Sequence, residues 1–175
     1  MDLTRHCELC DHQKISLKQG ITCGLTGRKP DFHGTCSKIT LREKFEEKLK
    51  SVNVAYENIK RKKALTYSYF VVFLAIGLTV IVGGYLFGKY ILGKGVISVG
   101  PLIIMAVGIA PLGMAFGALN KHRRELEVAK SKKEKVDEVL QKYRITYNLD
   151  IQFGKEIHGT QEVYVDLKVK GVPNN

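Results

Sequence analysis

The chain of 175 residues has no tryptophan and only four prolines. Its four cysteines, Cys7, Cys10, Cys23 and Cys36, all fall within the first 36 residues. Charge is the most unevenly withheld property. From Ala64 to Asn120 only Lys89 and Lys94 carry any, and every other charged residue lies in the flanks. A single soluble globule does not partition charge this way, and a disordered chain does not contain such long apolar runs. Also missing are the residue patterns of catalysis. There is no Gly-x-Ser-x-Gly, no phosphate loop, no His-Glu-x-x-His and no pair of carboxylates in an apolar setting, so the chain is not expected to be an enzyme. Neither apolar run holds an Asp, Glu, Arg or His, the groups that ion pathways and proton relays use. That argues against a transporter formed by this chain alone.

What is present is two uncharged runs, residues 64–88 and 95–120. A helix needs roughly 20 apolar residues to cross a hydrocarbon core of about 30 Å, and both runs suffice. The 63 residues before the first are too long and too charged for a signal peptide. The expected fold class is therefore an α-helical membrane protein. It has a two-span transmembrane hairpin, 64–88 and 96–119, joined by a short loop at 89–95. Tyr67, Tyr69, Tyr85 and Tyr90 stand near the ends of the first span, where a half-wet ring is favoured. Pro101 is expected in the first turn of the second span, where its missing N–H is harmless, and Pro111 inside it, where a kink follows. Gly84 and Gly88, and Gly113 and Gly117, are small-xxx-small pairs that let helix backbones approach in lipid. Packing within the hairpin is the simpler use of them and dimerisation the sharper one.

The net charge of +11 is concentrated beside these runs. Lys60, Arg61, Lys62 and Lys63 abut the first; Lys121, Arg123 and Arg124 abut the second. Lys/Arg-rich flanks stay cytoplasmic, which places both termini in the cytoplasm, in a bacterial inner membrane on grounds of compact size. Lys89 and Lys94 oppose this weakly. The same bases can attract anionic lipid headgroups, at about 1 kcal/mol each near the surface. Nucleic acid is the least favoured partner, because the bases alternate with acids and no aromatic-rich basic motif accompanies them.

Two amphipathic stretches, 41–63 and 120–144, flank the hairpin. Leu41, Phe45, Leu49, Val52, Tyr56 and Ile59 recur at close to heptad spacing, as do Leu126, Ala129, Val136, Leu140 and Tyr143, with Lys133 a polar flaw in the second seam. Antiparallel spans would deliver the two stripes side by side, so an intramolecular helical stalk is preferred over a partner coiled coil. Thr40, with Glu43 three residues on, has the pattern of a capping box.

Residues 1–40 are expected to form a small metal module. Cys-x-x-Cys at Cys7 and Cys10 offers two thiolates within the bite of one tetrahedral Zn²⁺, with Cys23 and Cys36 completing the set. So short a segment with few large apolar groups needs such a staple. Arg5, Lys14, Lys18, Arg28, Lys29 and Lys38 can screen the thiolates, and His6, His12 and His33 are spare donors. An iron–sulfur cluster is less favoured, since the spacing matches neither familiar ferredoxin run. A redox Cys-x-x-Cys lacks its βαβ context, and disulfides conflict with a cytoplasmic side. Phe32 sits in an exposed-looking loop that covers the metal or contacts a partner, the former being preferred.

At the other end, residues 145–175 alternate apolar and polar in two runs, Ile145 to Phe153 and Val163 to Lys170, the signature of two strands linked across 154–162. Such a hairpin is marginal alone, so it should pack on the rest of the chain or on another subunit. The expected function is an integral membrane adaptor that recruits or assembles protein partners at the cytoplasmic face. The alternatives are an iron–sulfur or redox-sensing membrane subunit and an oligomerising membrane effector.

Overall fold

The computed structural model describes residues 3–91, 99–157 and 160–172, with side chains omitted at 156, 157 and 160. The elements run α1 (Thr4–Glu8), β1 (Gln13–Ser16), β2 (Gly20–Cys23), α2 (Glu43–Arg61), α3 (Lys63–Leu86), a π-helical turn (Phe87–Ile91), α4 (Val99–Lys142), β3 (Thr146–Ile157) and β4 (Thr160–Lys170). They form two compact units, residues 1–57 with 129–175 and residues 58–128.

The first unit is organised around one apolar cluster. Phe45, Leu49 and Val52 recur every three or four residues on α2. On α4, Val139 and Leu140 follow Val136 at three and four residues. All six are buried together with Leu9, Cys10, Ile39, Leu41 and Ile145. The stripes meet because burying both removes apolar surface from water, at about 25 cal/mol per Å². Lys133 is not a bare flaw. Its Nζ donates to Asn53 Oδ1 and to the Tyr147 hydroxyl, both at 2.7 Å, and Asp137 lies 3.4 Å away.

The strands β3 and β4 pair antiparallel from Thr146↔Lys170 to Ile157↔Thr160, with a bulge between Phe153 and Glu156. They reach well into the stretch expected to be loop, and Gly154 belongs to a strand. Its lack of a side chain suits the bulge, since a Cβ there would lie 3.3 Å from Glu162 O. Tyr147, Leu167 and Val169 pack against the apolar cluster, so part of the ribbon's face is covered within the chain.

Two further expectations need correcting. Thr40 does not cap a helix: α2 begins at Glu43, and the Thr40 hydroxyl is bonded to His12 Nε2 at 3.1 Å. Residues 87–91 of the chain are a π-helical turn, so Lys89 and Tyr90 are helical rather than loop; Lys94 lies outside the described residues. Two elements, α1 and the β1–β2 hairpin, were not legible as such.

In the second unit, α3 and the apolar part of α4 are each long and apolar enough to cross a membrane. Pro101 is buried near the start of α4 and Pro111 lies inside it. Close approach of the two helices rests on Gly77, Gly84 and Gly108. A Cβ on Gly77 would come 2.6 Å from Leu112 Cδ2 and 3.0 Å from Gly108 O. On Gly108 it would come 2.7 Å from Ile81 Cγ1 and 3.1 Å from Gly77 O, and on Gly84 it would come 3.0 Å from Ile104 Cγ2. Phe70 and Phe116 meet edge to face at 5.3 Å between ring centroids.

Candidate metal centre

Local backbone geometry gathers the cysteine segments. Cys7 lies on α1 and Cys10 just beyond it, where the Cys10 N–H donates to Cys7 O at 3.1 Å and the Gln13 N–H to Cys10 O at 3.1 Å. This tight turn leads directly into β1. The antiparallel register then sets Gln13 opposite Cys23, returning the third cysteine to the turn that carries the second. Gly20, at φ +74°, supplies the reversal between the strands. Gly24 permits the closest approach: its N–H donates to His12 O at 2.6 Å, and a Cβ would stand 2.9 Å from that oxygen. The fourth segment arrives by two bonds near Thr40. Asp11 N–H donates to Thr40 O at 2.9 Å, and Thr40 N–H to Cys10 Sγ at 3.5 Å.

Cys36 is tied to the end of α4. Its N–H donates to the Tyr143 hydroxyl at 2.8 Å, and that hydroxyl also meets His6 Nδ1 at 3.0 Å. His6 is almost fully buried, in edge-to-face contact with Phe32 and Tyr143 at 5.3 and 5.5 Å between ring centroids. Phe32 thus rests on the module. His12 is bonded to Thr40, and His33 is exposed.

The thiols differ electrostatically. Burial pushes Cys7 up to about 11, and the neighbouring Cys10, Cys23 and Cys36 push the same way. Burial also raises Cys23, but the N–H groups of Leu25 and Thr26, the Thr26 hydroxyl and Lys38 outweigh it, leaving this thiol below its ordinary value. Two backbone donors on one sulfur are an arrangement that favours thiolate. Burial and then the Lys142 charge hold His6 below the usual imidazole range. Burial raises Tyr143, the Cys36 N–H opposes this, and the thiols of Cys36, Cys10 and Cys7 add to it.

All four cysteines are free. Among the described residues, no three His, Cys, Asp or Glu side chains stand close enough to grip one ion. The Cys7 thiol is nonetheless perturbed by the other three. The two facts concern different distances: zinc needs sulfurs within about 2.3 Å of a common point, whereas charge acts across several ångströms. The fold brings the cysteines into one neighbourhood without closing them into a coordination sphere.

The other candidate residues lie elsewhere. Lys60, Arg61, Lys62, Lys63, Lys121, Arg123 and Arg124 are all exposed. Gly84 and Gly88 are buried, whereas a Cβ on Gly113 or Gly117 would meet nothing within 4 Å. His122 escaped sequence reasoning. It is buried, and its Nε2 has no hydrogen-bond partner among the described residues. Spacing could have flagged it, since Ala115, Leu119, His122, Leu126 and Ala129 recur at intervals of four and three. No protein-family model matches the chain, and neither does any curated protein or solved structure.

Proposed function

We propose that the chain is an integral membrane adaptor. Its two apolar helices form a two-span anchor, and Cys7, Cys10, Cys23 and Cys36 hold one structural Zn²⁺. The zinc module and the β3–β4 ribbon are presented at the cytoplasmic face of a bacterial-type inner membrane, where they recruit or assemble protein partners. The observation that carries this reading is the backbone geometry that returns Cys23, opposite Gln13, and the Thr40 segment to the turn carrying Cys7 and Cys10, on a segment joined through Cys10 and Ile39 to the helix-pair core. Metal binding would then add to the folding energy of the whole unit. A four-thiolate site has no open coordination position, so its product is a rigid surface rather than a reaction. The Lys/Arg clusters beside the spans support the cytoplasmic assignment and suit anionic headgroups.

The test is a mild-detergent purification with metal quantification on the same sample as a partner pull-down. Colourless protein with about one zinc per chain supports the reading. A coloured, iron-bearing protein favours the iron–sulfur alternative instead. Chelation that leaves protease resistance of residues 1–40 unchanged overturns the metal site. Labelling of Cys7 by an impermeant thiol reagent on intact cells overturns the topology. One observation favours a second reading, an oligomerising membrane effector: the Gly113–Gly117 face of α4 is open. Toxicity on overexpression that Gly113→Leu with Gly117→Leu abolishes would point to it.

A further inference from the structure

The first unit contains a cavity of about 490 Å³ lined by residues of α1, α2 and α4. This lies within the range that small ligands occupy, roughly 300–1,000 Å³. Its floor is apolar, made by Leu9, Val52 and Val136, each of them buried. Its walls carry four cations, Arg5, Lys48, Lys132 and Lys135, against one carboxylate, Glu8. Arg5 is engaged by Glu138 at 3.2 Å and Lys48 by Glu8 at 3.9 Å. Lys132 and Lys135 have no carboxylate within 4.0 Å among the described residues. They are three positions apart on α4, hence on one face of the helix, and both line the cavity. Two of the four cations beside this apolar floor are therefore left without a carboxylate, an excess of like charge that self-repulsion opposes and an anion would relieve.

We propose that this cavity binds a phosphate-bearing anion that also carries a small apolar group. Lys132 and Lys135 engage the phosphate, Arg5 adds a planar guanidinium fork suited to phosphate oxygens, and Leu9, Val52 and Val136 take the apolar part. Two sources share this chemistry, a soluble phosphate ester and an anionic lipid headgroup. The site uses none of the cysteines, although Arg5, Glu8 and Leu9 belong to the same segment.

The test uses the full chain in nanodiscs of zwitterionic lipid, titrated calorimetrically with inorganic pyrophosphate, and in discs containing phosphatidylglycerol. Lys132→Gln with Lys135→Gln is compared with a control of equal charge loss on the ribbon, Lys155→Gln with Lys168→Gln. Saturable pyrophosphate binding that the first pair weakens by about tenfold or more, and the control leaves unchanged, supports a soluble ligand; two charge-assisted contacts are lost. If pyrophosphate does not bind but phosphatidylglycerol discs protect Lys132 and Lys135 from amine acylation, and the control lysines remain reactive, the phosphate is a lipid headgroup. No binding and no protection, or equal weakening by both pairs, overturns the site. Circular dichroism and thermal midpoints of both variants exclude misfolding as the cause.

Discussion

Lys133 Nζ donates to Asn53 Oδ1 at 2.7 Å across the α2–α4 seam, placing a cation where heptad spacing calls for an apolar residue. Asn53 is buried and donates from Nδ2 to Leu49 O at 2.9 Å, and the Tyr147 hydroxyl joins Lys133 to Asp137 Oδ1 at 2.8 Å. Every member has a partner, so removing one leaves another unsatisfied. Asn53→Leu is expected to cost about 1–3 kcal/mol. Adding Lys133→Met should cost less than the sum of the two single changes, because the members act as a unit. Urea unfolding in mild detergent measures both; strictly additive losses would dissolve the network.

The same lysine gives a pH dependence of definite sign. Burial alone would lower its pKa, but the hydrogen bond to Tyr147, the Tyr147 charge and Asp137 together raise it above the ordinary 10.5. A group whose folded pKa is raised contributes its full stability below the unfolded value and loses it as pH climbs through the folded one. The stability gap between the native chain and Lys133→Met should therefore be constant from pH 7 to 10 and shrink above 10.5. A gap that widens with alkalinity contradicts the raised value.

Helix approach in the second unit depends on glycines at facing positions. Gly108→Val puts a branched side chain 2.7 Å from Ile81 Cγ1 at its first carbon. Overpacking of this kind costs about 1–3 kcal/mol. At Gly113 a Cβ would meet nothing within 4 Å, and Gly113→Val should leave the thermal midpoint of the detergent-solubilised monomer nearly unchanged. Equal effects from the two would mean that Gly77 and Gly108 do not form the contact.

Much of this was legible because it is local. The uncharged runs, the alternation through Ile151 and Val165, and the seam residues Phe45, Leu49, Val136 and Leu140 each declare themselves by period. What was not legible depends on distant partners. Thr40 has the sequence of a cap, yet its hydroxyl answers His12, 28 residues away. The strands β1 and β2 are four residues each, with no alternation to detect, and their register depends on the turn at Gly20 and the approach of Gly24 to His12. Small-residue spacing along one helix pointed to Gly113 and Gly117. Which face meets the neighbour depends on helix rotation, and that selected Gly77 and Gly108.

The end of α4 is capped by a residue poorly suited to the task. Ile145 N–H donates to Leu140 O at 3.0 Å and Arg144 N–H to Gln141 O at 3.1 Å, while Ile145 and Leu140 share the apolar cluster. This is the Schellman arrangement, in which the residue after the cap adopts the left-handed conformation that glycine prefers. Arg144 occupies it at φ +56°, at a conformational cost of about 1–2 kcal/mol. The Arg144 carbonyl also faces Gly171, where a Cβ would stand only 2.8 Å away on a backbone at φ +85°. Arg144→Gly should therefore stabilise the first unit by up to about 1 kcal/mol, the gain being offset in part by the greater freedom of glycine in the unfolded chain. Gly171→Ala should destabilise it by more than that. Denaturant midpoints of the two variants check both signs, and a stabilising Gly171→Ala would show that β4 does not end against this cap.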